Sequence, residues 1–268
     1  MQPEVTITWV GHATVVLEVD GFRVITDPIL TSRVVHLRRR VAAPTIDPVD
    51  AVLISHLHMD HLHLRSLRTV TNGVRVIAPA GSAKLFRSLG VGRLDEVVAG
   101  DVVTLRAATA DTPAIEAHVV PADHSNARGP HSRIVAEPVG YIVHTGNRSV
   151  YFAGDTDLFE EMHDFPEIDV ALLPIWGWGP TLGDRHLDPG RAATATHWIA
   201  PRQVVPIHWG TYTPITPRRG TPAWIDNPFA AFTAALAELD LADRLLALRP
   251  GETMTTGGEV RSADGAVG

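Results

Sequence analysis

The sequence contains no cysteine. Disulfide bonds, iron–sulfur clusters, cysteine-based zinc sites and thiol nucleophiles are therefore excluded. Long apolar stretches are missing too, since no run reaches the about 18 residues that a membrane-spanning helix needs. The first ten residues, MQPEVTITWV, lack a basic segment followed by an apolar one. We therefore expect no signal peptide, no membrane insertion and a cytoplasmic protein.

Basic side chains are fewer than acidic ones: 23 Lys and Arg stand against 30 Asp and Glu, a net charge of −7. A net anion does not attract a polyphosphate, so nucleic acid is not an expected partner. With 45% hydrophobic and 20% charged residues, the composition is that of a globular protein. We predict a single domain over residues 1–268, with residues 257–268 as a small, polar, flexible tail. A homo-oligomer remains open.

Short apolar runs alternate with polar loops and helical stretches. Continuous apolar runs, such as residues 51–54 and 170–173, are typical of strands buried on both faces. Asp20-Gly21 predicts a β-hairpin, and Asp188-Pro189 is typical of a helix start. The pattern predicts strands over residues 5–10, 15–19, 23–26, 51–54, 74–78, 116–121, 139–143, 150–152, 170–173 and 204–207, helices over 62–70, 83–89, 191–199 and 230–246, and a loop over 30–46.

Histidine is frequent, with 14 residues, and four ligand-type side chains are concentrated in the segment His56-Leu57-His58-Met59-Asp60-His61. Side chains of an extended chain alternate, so His56 and His58 can point the same way. Asp60 and His61 then fall at the start of the following helix. Such a loop can present two ligands to one metal ion and two to a neighbouring ion.

Three further ligand-type residues each follow a predicted strand: His124, Asp155 and His208. Because ligands gather at the carboxyl ends of strands in α/β proteins, we expect one convergent site. Five histidines and two aspartates exceed the about four ligands that one zinc ion takes, so they suit two ions. Imidazole with carboxylate suits zinc, and equally manganese or iron.

A pair of divalent cations predicts hydrolysis. Two cations lower the pKa of a bound water from about 15.7 towards about 7, which yields hydroxide at neutral pH. That hydroxide can attack phosphorus or a carbonyl carbon, and Asp60 is the candidate to orient it or take its proton. No G-x-S-x-G segment supplies a serine nucleophile.

The order HxHxDH, a later His, a Gly-Asp pair and a late His resembles the metallo-β-lactamase family. The resemblance implies an α/β fold: a four-layer αβ/βα sandwich of two mixed sheets flanked by helices. The nearest branch holds N-acyl-phosphatidylethanolamine phospholipase D and the ascorbate-6-phosphate lactonases. The matching stretches are residues 9–14, 26–28, 50–56, 152–156, 186–189 and 207–211.

The same resemblance implies a ligand set. One ion would be held by His56, His58 and His124, the other by Asp60, His61 and His208, with Asp155 shared between them. It also places His186 at the mouth of the site, to bind an anionic group of the substrate or to donate a proton.

The expected partner is a small-molecule substrate, and several functions stay open. The first is hydrolysis of a phosphodiester or small organophosphate, the second is a lactonase or other C–O or C–N hydrolase, and the third is a non-catalytic metal-binding sensor. Trp176 and Trp178 either form an apolar wall for the substrate or pack beneath their loop. His12 is either a core residue or functional, and residues 38–40, three arginines, are either a solvated face or a phosphate contact.

Overall fold

Two mixed β-sheets and a small third sheet form the computed structural model of the chain, which describes residues 4–40, 42–129, 131–177, 182–215, 222–256 and 260–261. The helices are α1 (Leu64–Val70), α2 (Ala83–Phe86), α3 (Pro189–Ile199) and α4 (Ala223–Glu238). The strands are β1 (Val5–Gly11), β2 (Thr14–Val19), β3 (Phe22–Thr26), β4 (Arg33–Val34), β5 (Leu37–Arg39), β6 (Ala51–Leu53), β7 (Arg75–Pro79), β8 (Arg93–Val97), β9 (Val102–Arg106), β10 (Ile115–Pro121), β11 (Val139–Thr145), β12 (Arg148–Phe152), β13 (Val170–Pro174), β14 (Gln203–Ile207), β15 (Tyr212–Pro214), β16 (Thr253–Thr255) and β17 (Val260–Arg261).

The two large sheets share one design. The first has the order β17-β16-β1-β2-β3-β6-β7-β8 and the second β14-β13-β12-β11-β10-β9. In each, a run of antiparallel strands continues into parallel ones: β3, β6, β7 and β8 in the first sheet, and β12, β13 and β14 in the second. Parallel strands must be joined by crossovers, and these carry the helices and the long loops.

Alternation along the central strands builds the layers. Leu53 of β6 and Leu172 of β13 belong to the core between the two sheets. Val52 packs with Leu67 of α1 on the outer face of the first sheet, and Leu173 packs with α3 and α4 on the outer face of the second. Both faces of each sheet are therefore covered, which explains the continuous apolar runs. The four-layer sandwich of mixed sheets predicted from the sequence is confirmed.

All ten predicted strands form, including the edge strand β14, but the edge strands β8, β9 and β17 were missed. β8 and β9 are edge strands whose exposed positions carry charged or isolated apolar residues, so neither shows a clean apolar run. β17 lies inside the segment predicted as a tail and pairs with β16, which precedes that segment. Residues 257–259 and 262–268 lie outside the described part. No helix among the described residues is long and apolar enough to cross a bilayer.

The predicted loop over residues 30–46 was wrong in part. It contains β4 and β5, which pair with each other, and β5 also pairs with β15 to complete the third sheet. Arg39 is buried there, and its guanidinium donates to the carbonyls of Val10 and Ile29. Arg40 pairs with Asp226. The run of arginines hid the strand, because only one of its side chains faces inward.

The last helix is displaced from its predicted position at residues 230–246. α4 begins at Ala223 and contains Pro228, a residue that is unfavourable inside a helix, so the start of α4 has no clear helical pattern. It ends at Glu238, and Asp240 adopts a φ of +57°, which no helix continues. Leu241 and Leu245 still pack against the core, so the apolar pattern outlasts the helix.

Candidate metal centre

The structure brings all seven predicted ligands to one end of the two sheets, and together they are called the cluster below. His56, His58, Asp60 and His61 come from the loop after β6, His124 follows β10, Asp155 follows β12 and His208 follows β14. Six of the seven are buried, and His58 is half-buried. Side chains from both sheets therefore converge on a common space.

Three imidazoles form the first half of the cluster. His58 Nδ1 lies 3.0 Å from His56 Nε2 and 3.1 Å from His124 Nε2. One ligand atom of each of the three lies within 4.8 Å of the others. Three ring nitrogens therefore face a common point.

The second half of the cluster combines two imidazoles with a carboxylate. His61 Nε2 and His208 Nε2 are 3.0 Å apart, and each lies 3.6 Å from Asp60 Oδ2. Asp155 stands between the halves. Its Oδ2 lies 3.2 Å from His61 Nε2 and 3.9 Å from His124 Nε2.

Asp155 has an oxygen that the protein leaves unsatisfied. Oδ1 is buried and has no hydrogen-bond partner among the described residues, although His208 Nε2 lies 3.2 Å away. A buried carboxylate oxygen without a partner is costly. A cation between the two halves would satisfy it.

Hydrogen bonds at the outward nitrogens of two histidines determine which ring nitrogen carries the proton and which the lone pair. His124 Nδ1 lies 2.8 Å from the carbonyl oxygen of Arg185, and His208 Nδ1 lies 2.7 Å from that of Trp176. A carbonyl can only accept, so each Nδ1 carries the proton. When each ring is neutral, its Nε2 then carries a lone pair. The Nε2 atoms of His124 and His208 both point into the cluster.

Asp27 fixes the other two rings in the same sense. Its Oδ2 accepts from His61 Nδ1 at 2.7 Å and from the Ser55 hydroxyl at 2.5 Å. Because that hydroxyl donates to Asp27, it accepts from His56 Nδ1 at 2.9 Å. His56 Nε2 therefore also presents a lone pair inward, and His61 Nε2 does so when its ring is neutral. Four inward lone pairs and two carboxylates are a donor set that fits metal cations.

The electrostatics favour positive charge at the centre. Burial would raise the pKa of Asp155, but the imidazoles of His208 and His61 hold it well below its usual range. Asp60 shows the same balance, with burial opposed first by His61. Burial lowers the pKa of His61, yet the carboxylates of Asp155 and Asp60 outweigh it and keep that pKa well above its usual value. The site thus stabilises a cation.

Burial has the opposite effect on the rings of the first half. It lowers the pKa of His56 well below its usual value and that of His124 to about 4. Both rings are neutral at physiological pH. Neutral imidazole is the form that binds a metal ion.

Comparison with known proteins agrees with this geometry. The family model described as the Beta-lactamase superfamily domain matches residues 22–209. A UPF0173 metal-dependent hydrolase from Methanopyrus kandleri is 33% identical over 252 residues, covering 92% of this chain and 98% of the relative. The chain belongs to the UPF0173 metal-dependent hydrolases of the β-lactamase superfamily.

Solved structures support the fold of this family member. Igni18, a metallo hydrolase from the archaeon Ignicoccus hospitalis, is 27% identical with a TM-score of 0.69, covering 94% of this chain and 98% of its own. The metallo-β-lactamase fold protein YhfI from Bacillus subtilis is 11% identical with a TM-score of 0.64, covering 95% of this chain and 100% of its own. The expected metallo-β-lactamase fold is confirmed.

His12, whose role the sequence left open, contacts the cluster of this UPF0173 protein from outside. It occupies the turn between β1 and β2 with a φ of +56°, and its Nε2 lies 2.9 Å from Asp60 Oδ2. Burial lowers its pKa to about 3. A neutral His12 therefore donates Nε2–H to Asp60 and orients that carboxylate.

The sequence left the role of His12 open and gave none to Asp27. Each belongs to a stretch that matches the metallo-β-lactamase branch, residues 9–14 and 26–28. Each also has a positive φ, at +56° and +33°, in a turn at a strand end. A polar residue at a strand end within a matching stretch was the available signal.

A cavity of about 380 Å³ opens onto the cluster. Its inner wall includes His58, Asp60 and Asp155, and its rim is formed by Val35, His36, Met59 and His186, called the rim below. His186 Nε2 lies 3.6 Å from Asp155 Oδ2, and its ring contacts that of His124 edge-on at 4.5 Å. His186 is thus at the mouth of the cluster.

The two tryptophans predicted to contact substrate lie elsewhere or outside the described part. Trp176 lines a separate groove beside α4, with Trp224 and Pro228. Its carbonyl serves the cluster by accepting from His208. Trp178 is outside the described residues. A substrate-binding role for either residue stays a prediction.

Proposed function

We propose that this chain is a binuclear metal-dependent hydrolase. The observation that carries the proposal is the set of inward lone pairs on His56, His61, His124 and His208, fixed by hydrogen bonds on the outer face of each ring. We assign one ion to His56, His58 and His124, the other to Asp60, His61 and His208, and the shared position to Asp155.

When bound, a pair of divalent cations lowers the pKa of water and neutralises charge that develops on the substrate. The protein's own groups do the rest. Asp60 lines the cavity with one oxygen held by His12, so it is positioned to accept a proton. His186 donates Nδ1–H to the carbonyl of Asp184 at 3.1 Å and turns Nε2 towards the cavity. In its imidazolium form it can protonate a leaving oxygen or bind an anionic group.

The substrate class we propose is a phosphodiester or a small organophosphate. The guanidinium of Arg128 lines the cavity, and its positive charge suits an anionic substrate. The short stretches that resemble the phospholipase D branch support the same class. Zinc is the proposed metal, with manganese and iron as alternatives that imidazole and carboxylate also bind.

A lactone is the second candidate substrate. Val35 and Met59 are exposed hydrophobic residues at the rim. They favour an uncharged ester group over a fully ionic one. Both substrate classes use the same cluster.

Metal analysis followed by a substrate panel tests the proposal. The purified chain should hold two ions, and a chain reloaded with zinc, manganese or iron should hydrolyse bis(p-nitrophenyl) phosphate. If the chain hydrolyses lactones but no phosphoester, the second substrate class replaces the first. Two bound ions without hydrolysis of phosphodiesters, lactones or β-lactams would support the sensor, and a chain that takes up no metal would overturn the proposal.

A further inference from the structure

The turn between β4 and β5 places an apolar side chain over the cavity where backbone chemistry favours glycine. Val34 pairs with Leu37, so Val35 and His36 form a two-residue hairpin turn. Val35 has a φ of +48°, and His36 is not among the residues with positive φ. Positive φ at the first central position alone is the pattern of a type II′ turn, whose preferred residue there is glycine.

A β-branched residue in this conformation is strained. Such a conformation is unfavourable for a β-branched side chain and persists only where the surroundings hold it. Here the hairpin is anchored by β15 on one side, while Val34 and Leu37 are buried with Ile29 and Tyr212. Burial in the core does not explain the strain, because Val35 is 59% exposed.

Met59 supplies a second apolar side chain at the same rim. It lies between His58 and Asp60 in the ligand loop and is 46% exposed. Its methyl group approaches the backbone of Gly129, where an added Cβ would lie 3.9 Å away. Val35 and Met59 are both large exposed hydrophobics, and both line the cavity.

The polarity of the cavity is therefore divided. The inner wall carries the His58 imidazole and two carboxylates, whereas Val35 and Met59 form an apolar part of the rim. A ligand with its reacting group at the cluster would place its substituent between these two side chains. An apolar substituent would gain contact there, and a charged one would lose water without a partner.

We propose that Val35 and Met59 form an apolar subsite that binds an uncharged alkyl or aryl substituent of the substrate. The subsite rests on the proposed hydrolase function and narrows its substrate class to esters with one small apolar group. A cavity of about 380 Å³ suits a small molecule of this kind. The strain at Val35 is retained for contact with the ligand.

Binding of n-alkylphosphonates, from methyl to butyl, to the metal-loaded chain tests the subsite by calorimetry. Each buried CH₂ contributes about 0.8 kcal/mol, so each added methylene should strengthen binding about two- to fourfold. In the double variant Val35→Asn, Met59→Gln this gain should fall below about 1.5-fold, while methylphosphonate binding changes by less than about twofold. Val98→Asn is the matched control, since Val98 is 52% exposed and is not among the residues that line the cavity.

The outcomes separate the subsite from the hydrolase. An unchanged gain per methylene in the double variant, or no gain in the unaltered chain, overturns the subsite. A chain that shows the gain but hydrolyses no ester overturns the proposed activity and leaves the subsite standing. Hydrolysis with equal kcat/KM for short and long alkyl esters overturns the subsite alone.

Discussion

The cluster and the rim face the same cavity but are held in opposite ways. His61 and His208 in the cluster are buried, and a hydrogen bond to Asp27 or to a backbone carbonyl orients each ring. Val35 and Met59 at the rim are exposed, and one of them is strained. The cluster is built for fixed geometry, which chemistry needs, and the rim for contact with a variable part of the ligand.

Breaking the cluster at its shared position should have the largest effect. Asp155→Ala removes the carboxylate between the two halves, so metal content should fall below two ions per chain and hydrolysis to background. Mass spectrometry of bound metal and steady-state rates measure both, and circular dichroism should show a chain that still folds. Asp157→Asn, which alters a pair with Arg191 outside the cluster, is the control. Two ions retained with unchanged turnover would reject the shared role.

His186 tests the border between the two regions. His186→Ala should leave two ions bound and lower kcat by about 10²-fold, the usual size of a general acid's contribution. His163→Ala, whose ring packs on Trp198, should change neither quantity. Unchanged kinetics in His186→Ala would remove His186 from the mechanism.

The positioning role of His12 should have a smaller effect on metal binding. His12→Ala releases Asp60 Oδ2, and loss of such an outer contact lowers metal affinity about 10–100-fold. His12→Gln should recover part of the affinity, because its amide N–H can donate to the same oxygen. Competition with a chelator measures the dissociation constants. Equal affinities in the alanine and glutamine variants would contradict the role.

Acid should destabilise the metal-free cluster. His12 and His124 have folded-state pKa values of about 3 and about 4, below the unfolded value of 6.5, so the unfolded chain binds protons that the folded chain excludes. Stability is then lost as the pH falls below about 6.5. His61 has a raised pKa and acts in the opposite sense, but His56 adds to the loss. Thermal melts of the metal-free chain between pH 7 and pH 4 should show a falling Tm, and a constant or rising Tm would refute this.

The smallest expected effect belongs to the rim and has the opposite sign. Val35→Asn should stabilise the chain, because asparagine tolerates positive φ better than valine. A gain of about 1 kcal/mol corresponds to about 2–4 °C in Tm for a chain of this size class. Val98→Asn should give no such gain. A lower Tm for Val35→Asn would show that the turn is not strained.

Much of the fold could be predicted because the central strands are continuous apolar runs. Residues 51–54 and 170–173 are apolar throughout, since both faces of their sheets are covered. The edge strands β8 and β9, the arginine-rich β5 and the start of α4 could not be predicted, because their patterns mix charge, a proline or an isolated apolar residue. Charged runs conceal a buried side chain such as Arg39 whose partners are distant in sequence.

The sequence by itself determined the ligand-type residues and their places after strands, since local periodicity and residue chemistry are local properties. Only the tertiary structure decided how they work together. Asp27 and two backbone carbonyls orient three of the imidazoles, and His12 orients the Asp60 carboxylate, from 32 to 61 residues away along the chain. The pairing of β5 with β15 anchors the hairpin that carries Val35 to the cavity. Such contacts depend on which strands become neighbours, and that is settled by burial of the whole core rather than by any one segment.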